Sequence, residues 1–205
     1  MPFFDGASGQ VHYRRWPGEN PQVGLIFLHG RGQHSGHYHR FARALLVRGI
    51  ESWALDHIGH GLSEGELDNV SQIDQLGAHA LQLADIAEAD RPGLPFAVMG
   101  HSLGAVTTLA AVHKQPTRFG AVVLCGTPKS VRTRSLDVPA APALVVHGVD
   151  DRLAPVDVVR EWVAGHQGVD LREFADMGHN LLHEPGYATV TDVIADFLLD
   201  TMGNR

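Results

Sequence analysis

The sequence has only one cysteine, Cys125, among its 205 residues, so no disulfide can form within the chain. A small secreted scaffold that depends on disulfides is therefore excluded. Because Cys125 stands in an apolar run, we expect its thiol to be buried and unreactive.

Basic patches and long apolar runs are also missing. The chain carries 16 Lys and Arg against 23 Asp and Glu, a formal charge of −7, and the two signs are mixed along its length. No stretch could hold a phosphate backbone, and no segment is apolar enough to span a bilayer. Residues 1–9 lack the charged start and apolar run of a signal peptide. We therefore expect a cytoplasmic protein without a nucleic-acid partner and without stable membrane insertion.

Apolar runs alternate with helical patterns, and Gly, Pro or Asn separates nearly all of them. With 44% hydrophobic residues, the chain can build one well-buried core, and we expect a single domain over residues 1–205. Strands are predicted at residues 10–16, 23–28, 50–55, 95–99, 121–124, 143–146 and 171–174, and helices at 38–48, 73–89, 103–113, 156–165 and 187–199. The first strand is predicted to be an antiparallel edge strand. The alternation favours an α/β fold with a mostly parallel sheet and helices on both faces.

A Gly-His-Ser-Leu-Gly turn joins the predicted strand at 95–99 to the helix that follows it. Gly100 and Gly104 allow strand and helix to approach without Cβ clashes, so that Ser102 is exposed at a sharp turn as a candidate nucleophile. The amide of Leu103, at the start of the helix, has no intrahelical partner and forms half of a candidate oxyanion hole. His101 is expected to point to the opposite side of the turn and to pack rather than act as a base.

Two further groups with suitable chemistry follow later strands. Asp150 and Asp151 come after the strand at 143–146, and His179 comes after the strand at 171–174. A serine needs an imidazole to accept its proton, and the imidazole needs a carboxylate to orient it and stabilise its charge. The alternative is structural: Asp151 would cap the next helix, and His179 would be an ordinary loop histidine. At successive strand ends behind the turn, the order Ser, Asp, His favours acyl-transfer chemistry.

The loop after the strand at 23–28 contains two glycines around Arg31. They let the backbone fold toward Ser102, so the amide of Arg31 is the expected second oxyanion donor. The Arg31 side chain has two interpretations, a contact to a substrate carboxylate or phosphate and a solvated arginine at the rim of a cleft.

Five motifs together resemble the monoacylglycerol lipase and lysophospholipase group of serine α/β-hydrolases, which is serine aminopeptidase-like. They stand at residues 29–38, 56–63, 100–104, 147–155 and 178–179, in the family's order. The resemblance implies an α/β-hydrolase fold, with nucleophile Ser102, acid Asp151, base His179 and oxyanion amides from Arg31 and Leu103. It makes Asp150 the lesser candidate for the acid, because the family's aspartate stands three residues after the glycine that is Gly148 here. It also implies that residues 56–63 form a structural turn beside the elbow.

The chain departs from this family where a helical cap is expected. Only residues 126–142 separate the strand at 121–124 from the next one, so we expect the cap to be missing or reduced to a loop. An uncapped site lacks the apolar walls that select long acyl chains. This predicts a small lidless esterase for short to medium acyl chains or monoacylglycerol-like esters. Lys129, Arg132 and Arg134 could attract acidic substrates or form a solvated basic loop.

The fourteen histidines invite a metal hypothesis, above all at His34, His37, His39, His57 and His60. No His-Glu-x-x-His or paired-cysteine pattern is present, and the glycines around Arg31 lack dinucleotide spacing, so we predict neither a metal nor a cofactor. The small-molecule ester substrate has alternatives, since the same residues would attack thioesters, lactones or aminoacyl amides. A non-catalytic binding module is a further alternative, but such a module would be expected to have lost one of the residues described above.

Overall fold

A computed structural model describes residues 1–66, 72–133 and 141–203. Its strands are β1 Phe3–Gly6, β2 Gly9–Trp16, β3 Val23–Leu28, β4 Ile50–Leu55, β5 Phe96–His101, β6 Ala121–Cys125, β7 Ala143–Gly148 and β8 Val169–Phe174. Its helices are α1 His39–Val47, α2 Ile73–Asp90, α3 Leu103–Lys114, α4 Ser130–Thr133, α5 Val156–Ala164 and α6 Tyr187–Met202, and a 3-10 turn at Ser35–Tyr38 precedes α1.

The strands form one sheet in the order β1-β2-β4-β3-β5-β6-β7-β8. The pairs from β4 to β8 are parallel, whereas β1 with β2 and β2 with β4 are antiparallel. The prediction of a mostly parallel sheet is confirmed. The prediction that residues 10–16 form the first and edge strand is wrong, although the strand is antiparallel. β1 pairs with β2 through a tight hairpin and lies outside it, and its four residues are too short for an alternating pattern to be recognised.

Helices cover both faces of the sheet, as predicted. On one face α2 and α3 pack on a core that includes Ile26 and Val98. On the other face α1 and α6 pack on a core that includes Leu25 and Phe27. Because successive side chains of a strand point to opposite faces, β3 supplies both cores and must be apolar throughout.

Several boundaries differ from the predicted ones. The helix predicted at 38–48 begins as the 3-10 turn and becomes α-helical at His39, and the last helix continues to Met202. The segment predicted as a loop at 126–142 contains the short helix α4, and its residues 134–140 lie outside the described part. In the described ranges no helix is long and apolar enough to cross a membrane.

The parallel strands bring four loops together at the carboxyl end of the sheet. The loops after β3, β5, β7 and β8 all leave at the carboxyl ends of their strands, where ligands bind in open α/β sheets. These four loops carry Arg31, Ser102, Asp151 and His179, each of which the sequence predicts to take part in the chemistry.

Candidate active site

Ser102 lies at a strained turn between β5 and α3. Its backbone has φ 53° and ψ −112°, a conformation that costs a non-glycine residue about 1–3 kcal/mol. The surrounding backbone leaves no room for relaxation: a Cβ on Gly100 would lie 2.0 Å from the carbonyl oxygen of Gly104, and one on Gly104 would lie 2.0 Å from that of Leu28. The Ser102 amide is held by a 2.9 Å hydrogen bond to the Cys125 carbonyl. Tight packing of β3, β5 and α3 therefore maintains the strained turn.

The structure brings Ser102, His179 and Asp151 into one hydrogen-bonded chain. His179 Nε2 is 2.9 Å from Ser102 Oγ, and His179 Nδ1 is 2.7 Å from Asp151 Oδ2. An ionised carboxylate only accepts hydrogen bonds, so Nδ1 carries the proton. The lone pair of Nε2 is then directed at the serine hydroxyl, as a general base requires.

The structure separates the two adjacent aspartates. Asp150 is exposed, whereas Asp151 is 3% exposed and uses both carboxylate oxygens. Oδ2 contacts His179, and Oδ1 accepts the amides of Leu153 and Ala154 at 2.9 and 2.8 Å. The alternative that Asp151 caps the next helix is wrong: α5 has Pro155 at its N-cap and no side-chain cap, and the two amides that Asp151 accepts lie in the turn before the helix. Burial would raise the pKa of Asp151, but the hydrogen bonds from His179 and Ala154 outweigh it and hold this pKa below its ordinary value.

Glu184 fixes the loop that carries His179, although no sequence motif predicts this role. Its two carboxylate oxygens accept the amides of Gly178 at 2.7 Å and Asn180 at 3.1 Å, one on each side of the histidine. Gly148 packs against the same loop, because a Cβ there would lie 2.3 Å from the carbonyl oxygens of Met177 and Gly178. No local pattern distinguishes Glu184 from a solvated glutamate, so only the folded loop reveals it.

The peptide unit that contains the Arg31 amide is held through its carbonyl oxygen. The carbonyl oxygen of Gly30 accepts the Nδ1 proton of His29 at 2.7 Å and the amide of Gln33 at 3.1 Å. In a trans peptide the N–H points opposite to the C=O, so these bonds direct the Arg31 N–H away from His29. Arg31 and Leu103 line the same cavity as Ser102, and within the described ranges neither amide donates a hydrogen bond. Two unused donors at this place can stabilise an oxyanion.

The cavity beside Ser102 has a volume of about 660 Å³ and two kinds of wall. Its polar side chains include Arg31, Gln33 and Asn180, and its apolar part consists of Ile73, Leu103, Val106, Pro128 and Leu153. Leu153 is 73% exposed, so the apolar part reaches the outer surface. Lys129, which stands between the lining residues Pro128 and Ser130, is exposed. The side chain of Arg132, and Arg134 altogether, lie outside the described residues.

His101 does more than pack, which corrects the expectation that it points away from the site. It is 2% exposed and lines the cavity, where its Nε2 donates to the His179 carbonyl oxygen at 2.8 Å. The neutral ring then offers Nδ1 only as an acceptor, and the Tyr38 hydroxyl lies 3.4 Å from it. His101 thereby holds the loop of His179 through its Nε2 proton. It makes no contact that would let it act as a base toward Ser102.

The turn at residues 56–63 packs against the loop of Arg31. Asp56 is 1% exposed and accepts the amides of Ser35 at 2.7 Å and Leu62 at 2.9 Å, and its second oxygen lies 3.2 Å from His12 Nδ1. Burial would raise the pKa of Asp56, but these hydrogen bonds hold it below its ordinary value. The carboxylate thus ties the two loops together at their bases.

The histidines of the metal hypothesis divide into separate groups. His34 and His37 stack on each other with ring centroids 3.8 Å apart, and His39 accepts the Trp16 indole N–H. His57 and His60 pack with His29 instead. Over residues 1–66, 72–133 and 141–203 no three His, Cys, Asp or Glu side chains are grouped so that they could hold a metal ion. Cys125 is buried as expected, and burial raises the pKa of its thiol.

Comparison with solved structures defines the class of the protein. The structure of Est1E from Butyrivibrio proteoclasticus with bound ferulic acid matches with a TM-score of 0.82, at 18% identity, over 100% of both chains. At this identity the likeness concerns the fold alone, and the fold is that of the α/β-hydrolases, as the motifs implied.

Comparison of the sequences then gives the family. The model of a family described as serine aminopeptidase, S33, matches residues 19–139, and the chain belongs to this family. Human monoglyceride lipase is 35% identical over 164 residues, which cover 77% of this chain and 54% of the human protein. The monoacylglycerol lipase of Mycolicibacterium smegmatis is 34% identical over 60% of this chain and 45% of its own length. The chain thus spans about half the length of the curated relatives it matches, and the family match ends before Asp151 and His179.

Two buried histidines predict how stability depends on pH. Burial lowers the pKa of His29 to about 3 and that of His101 to about 4, from an ordinary value of 6.5. The unfolded chain therefore binds protons below pH 6.5 that the folded protein excludes, and the free energy of unfolding should fall as the pH is lowered. The expected loss between pH 6.5 and 5 is about 1.5 kcal/mol for each histidine, measured by urea denaturation. Asp56 and Asp151 have lowered pKa values, so they also stabilise the folded protein. That stabilisation is lost only below the ordinary pKa of an aspartate, outside the interval from pH 6.5 to 5.

A pair of variants isolates this effect. His101→Gln should lower the number of protons taken up on unfolding at pH 5 by about one, because it removes one histidine that the folded protein keeps unprotonated. His113→Gln, which removes an exposed histidine instead of a buried one, is the matched control. Equal slopes for the parent and His101→Gln would contradict a neutral His101.

Proposed function

We propose that the protein is a serine ester hydrolase that works through an acyl-enzyme intermediate on Ser102. The observation that carries the proposal is the chain of Ser102, His179 and Asp151, with distances of 2.9 and 2.7 Å, beside the unused amides of Arg31 and Leu103. The curated relatives named as monoglyceride lipases and an esterase support the same chemistry. We further propose that residues 1–205 act as one domain, since the described strands share one sheet.

Acylation follows from the positions of these groups. Ser102 Oγ attacks the ester carbonyl while His179 Nε2 takes its proton, and Asp151 stabilises the resulting imidazolium. The negative charge that develops on the carbonyl oxygen is met by the amides of Arg31 and Leu103, and donors of this kind contribute about 3–4 kcal/mol each in the transition state. Collapse of the tetrahedral intermediate expels the alcohol, which takes the proton from His179.

Deacylation repeats these steps with water as the nucleophile. His179 Nε2 accepts a proton from a water molecule that attacks the acyl carbonyl, and the same two amides receive the second oxyanion. The proton then passes from His179 to Ser102 Oγ as the acid leaves. The site accordingly needs solvent access, and Ser102 and His179 are both partly exposed.

We propose a lidless cleft and esters of short to medium acyl chains, monoacylglycerol-like esters among them. The apolar wall of the cavity, which includes Ile73 and Leu153, can cover the first carbons of an acyl chain. Because Leu153 is exposed, the wall is open to water on that side. The short connection at residues 126–142 supports a reduced cap. Glycerol esters come from the names of the relatives and are proposed here on that ground.

Ester hydrolysis is favoured over cleavage of aminoacyl amides by the charge of the cleft. An aminopeptidase must bind a free α-ammonium group, for which a buried carboxylate is the natural partner. The described lining of the cavity includes no Asp or Glu, and Arg31 is its sole residue with a permanent charge. An ammonium group would therefore be repelled rather than bound. Thioesters and lactones carry no such charge, and a substrate panel distinguishes them from oxygen esters.

The first test concerns the nucleophile. Ser102→Ala should lower hydrolysis of p-nitrophenyl esters by at least about a thousandfold, because it deletes the attacking oxygen. It should leave the circular dichroism spectrum and thermal unfolding unchanged. A fluorophosphonate probe should label the parent at Ser102, and Ser130→Ala, which removes another serine of the cavity, should keep both labelling and turnover. Parent-like turnover in Ser102→Ala, or labelling elsewhere, would refute the assignment.

A second test compares the two neighbouring aspartates. Asp151→Asn should lower kcat by about three to four orders of magnitude, because an amide no longer enforces the Nδ1-protonated tautomer of His179 or stabilises its charge. Asp150→Asn is the matched control, and its kcat should stay within about threefold of the parent, since Asp150 is exposed. Steady-state kinetics at saturating ester measures both. The reverse order of losses would move the acid to Asp150.

Acyl-chain selectivity tests the open cleft. Each buried methylene contributes about 0.8 kcal/mol, so a closed tunnel raises kcat/KM steadily with chain length, whereas an open wall covers only the first carbons. We expect kcat/KM for p-nitrophenyl esters to be highest at short to medium chains and to change smoothly through the substrate's aggregation point. A steady rise through chains of about twelve carbons would require an apolar tunnel and would disprove the lidless proposal.

A further inference from the structure

His60 holds the tip of the loop that carries Arg31. The amide of Gly32 donates a 3.0 Å hydrogen bond to His60 Nε2, across 28 positions of sequence. The other ring nitrogen, Nδ1, lies 3.1 Å from the carbonyl oxygen of Ile58. Both partners of the imidazole are therefore backbone groups, one in each of two neighbouring loops.

These two contacts define the protonation state of the ring. A carbonyl oxygen only accepts, so Nδ1 carries a proton and donates it to Ile58. An amide N–H only donates, so Nε2 must present its lone pair to Gly32. His60 is therefore neutral in this arrangement, and a proton on Nε2 would remove the acceptor that Gly32 uses.

The hydrogen bond of Gly32 complements the one that holds the preceding peptide. The peptide between Gly30 and Arg31 is fixed through its carbonyl oxygen by His29 and Gln33. The next peptide, between Arg31 and Gly32, is fixed through its N–H by His60. Arg31 thus stands between two tethered peptide planes: its own N–H lies in the first plane, and the tether on the second limits rotation of the Arg31 backbone that would turn the first plane away.

Without His60 the tip of this loop has little else to hold it. Arg31 and Gly32 are exposed, Gly32 has φ 75°, and nothing lies within 4 Å of where its Cβ would be. His60 itself is positioned by packing, with its ring centroid 5.3 Å from that of His29 and 6.4 Å from that of His57. The hydrogen bond from Gly32 to a packed His60 ring is therefore the contact that holds this tip.

We propose that His60 is a positioning residue for the oxyanion donor at Arg31. This inference rests on the proposed function, since it assigns the Arg31 amide the role of oxyanion donor. His60 lies outside the described lining of the cavity, so it acts through the Gly32 peptide. Its loss should therefore impair stabilisation of the transition state and leave binding of the ground-state ester unchanged.

The kinetic test compares two replacements of His60. His60→Leu removes the acceptor, and kcat for a p-nitrophenyl ester should fall about 10- to 100-fold while KM changes by less than about threefold. His60→Gln retains an acceptor oxygen for Gly32 and should stay within about fivefold of the parent. His113→Leu, an exposed histidine on α3, is the matched control and should behave like the parent. Equal losses in His60→Gln and His60→Leu, or a loss confined to KM, would overturn the proposal.

An inhibitor pair separates positioning from general damage to the site. Ser102 Oγ adds to the carbonyl carbon of an alkyl trifluoromethyl ketone, its proton passes to His179, and the carbonyl oxygen becomes an oxyanion next to the amides of Arg31 and Leu103. The affinity of this ketone should therefore fall in His60→Leu by the same factor as kcat/KM. The corresponding alkyl methyl carbinol cannot form an oxyanion, and its affinity should be unchanged. If both ligands lost affinity equally, His60 would have only a structural role.

A spectroscopic measurement on the parent protein tests the contact even if His60→Leu does not fold. In ¹⁵N-labelled protein the Gly32 amide should show a scalar coupling to His60 Nε2 across the hydrogen bond, and Nε2 should have the shift of an unprotonated ring nitrogen. A protonated Nε2, or no coupling, would refute the positioning role without reference to any activity. Failure of the parent to hydrolyse any ester would instead refute the proposed function, so the two failures are distinguishable.

Discussion

The close approach of strand, turn and helix around Ser102 is the constraint on which the rest of the site depends. Gly100 and Gly104 bring the backbone of α3 against β5 and β3 at distances that admit no Cβ. This contact holds Ser102 at a positive φ, which presents its hydroxyl to His179 and leaves the amide of Leu103 unused. A strained conformation persists only where the surrounding packing leaves it no alternative. Here a buried core packs on each face of the sheet. The turn is thus maintained by packing on both faces.

Neutral imidazoles form much of the support behind this turn. His29, His60 and His101 each use ring nitrogens to hold backbone groups of the loops that carry Arg31 or His179. A neutral imidazole offers one donor and one acceptor without the cost of burying a charge, so it can join two backbone segments in an apolar setting. The carboxylates Asp151 and Glu184, in contrast, each accept hydrogen bonds from two backbone amides. The division follows from chemistry: a carboxylate only accepts, whereas an imidazole can do both.

The amino-acid pattern predicted most of the architecture because its signals are local. The apolar runs at 23–28 and 143–146 are strands buried on both faces, and the helix at Ile73–Asp90 begins where its pattern begins. The failures are also local. β1 is too short to show an alternation, so the sequence pattern predicts residues 10–16 as the edge strand. α4 lies in a segment with no helical repeat that could be recognised over four residues.

The residues of the proposed mechanism are likewise predictable from the sequence, because glycine spacing and motif order mark the positions of Ser102, Asp151, His179 and Arg31. What the sequence could not decide is how groups far apart in the chain meet. The tautomer of His60, the direction of the Arg31 amide, the contact of His101 with the loop of His179 and the grip of Glu184 all depend on hydrogen-bond geometry between separate loops. Local periodicity carries no information about such distances. Sequence therefore specified which residues stand at the strand ends, and only the packed sheet decided which of their atoms face one another.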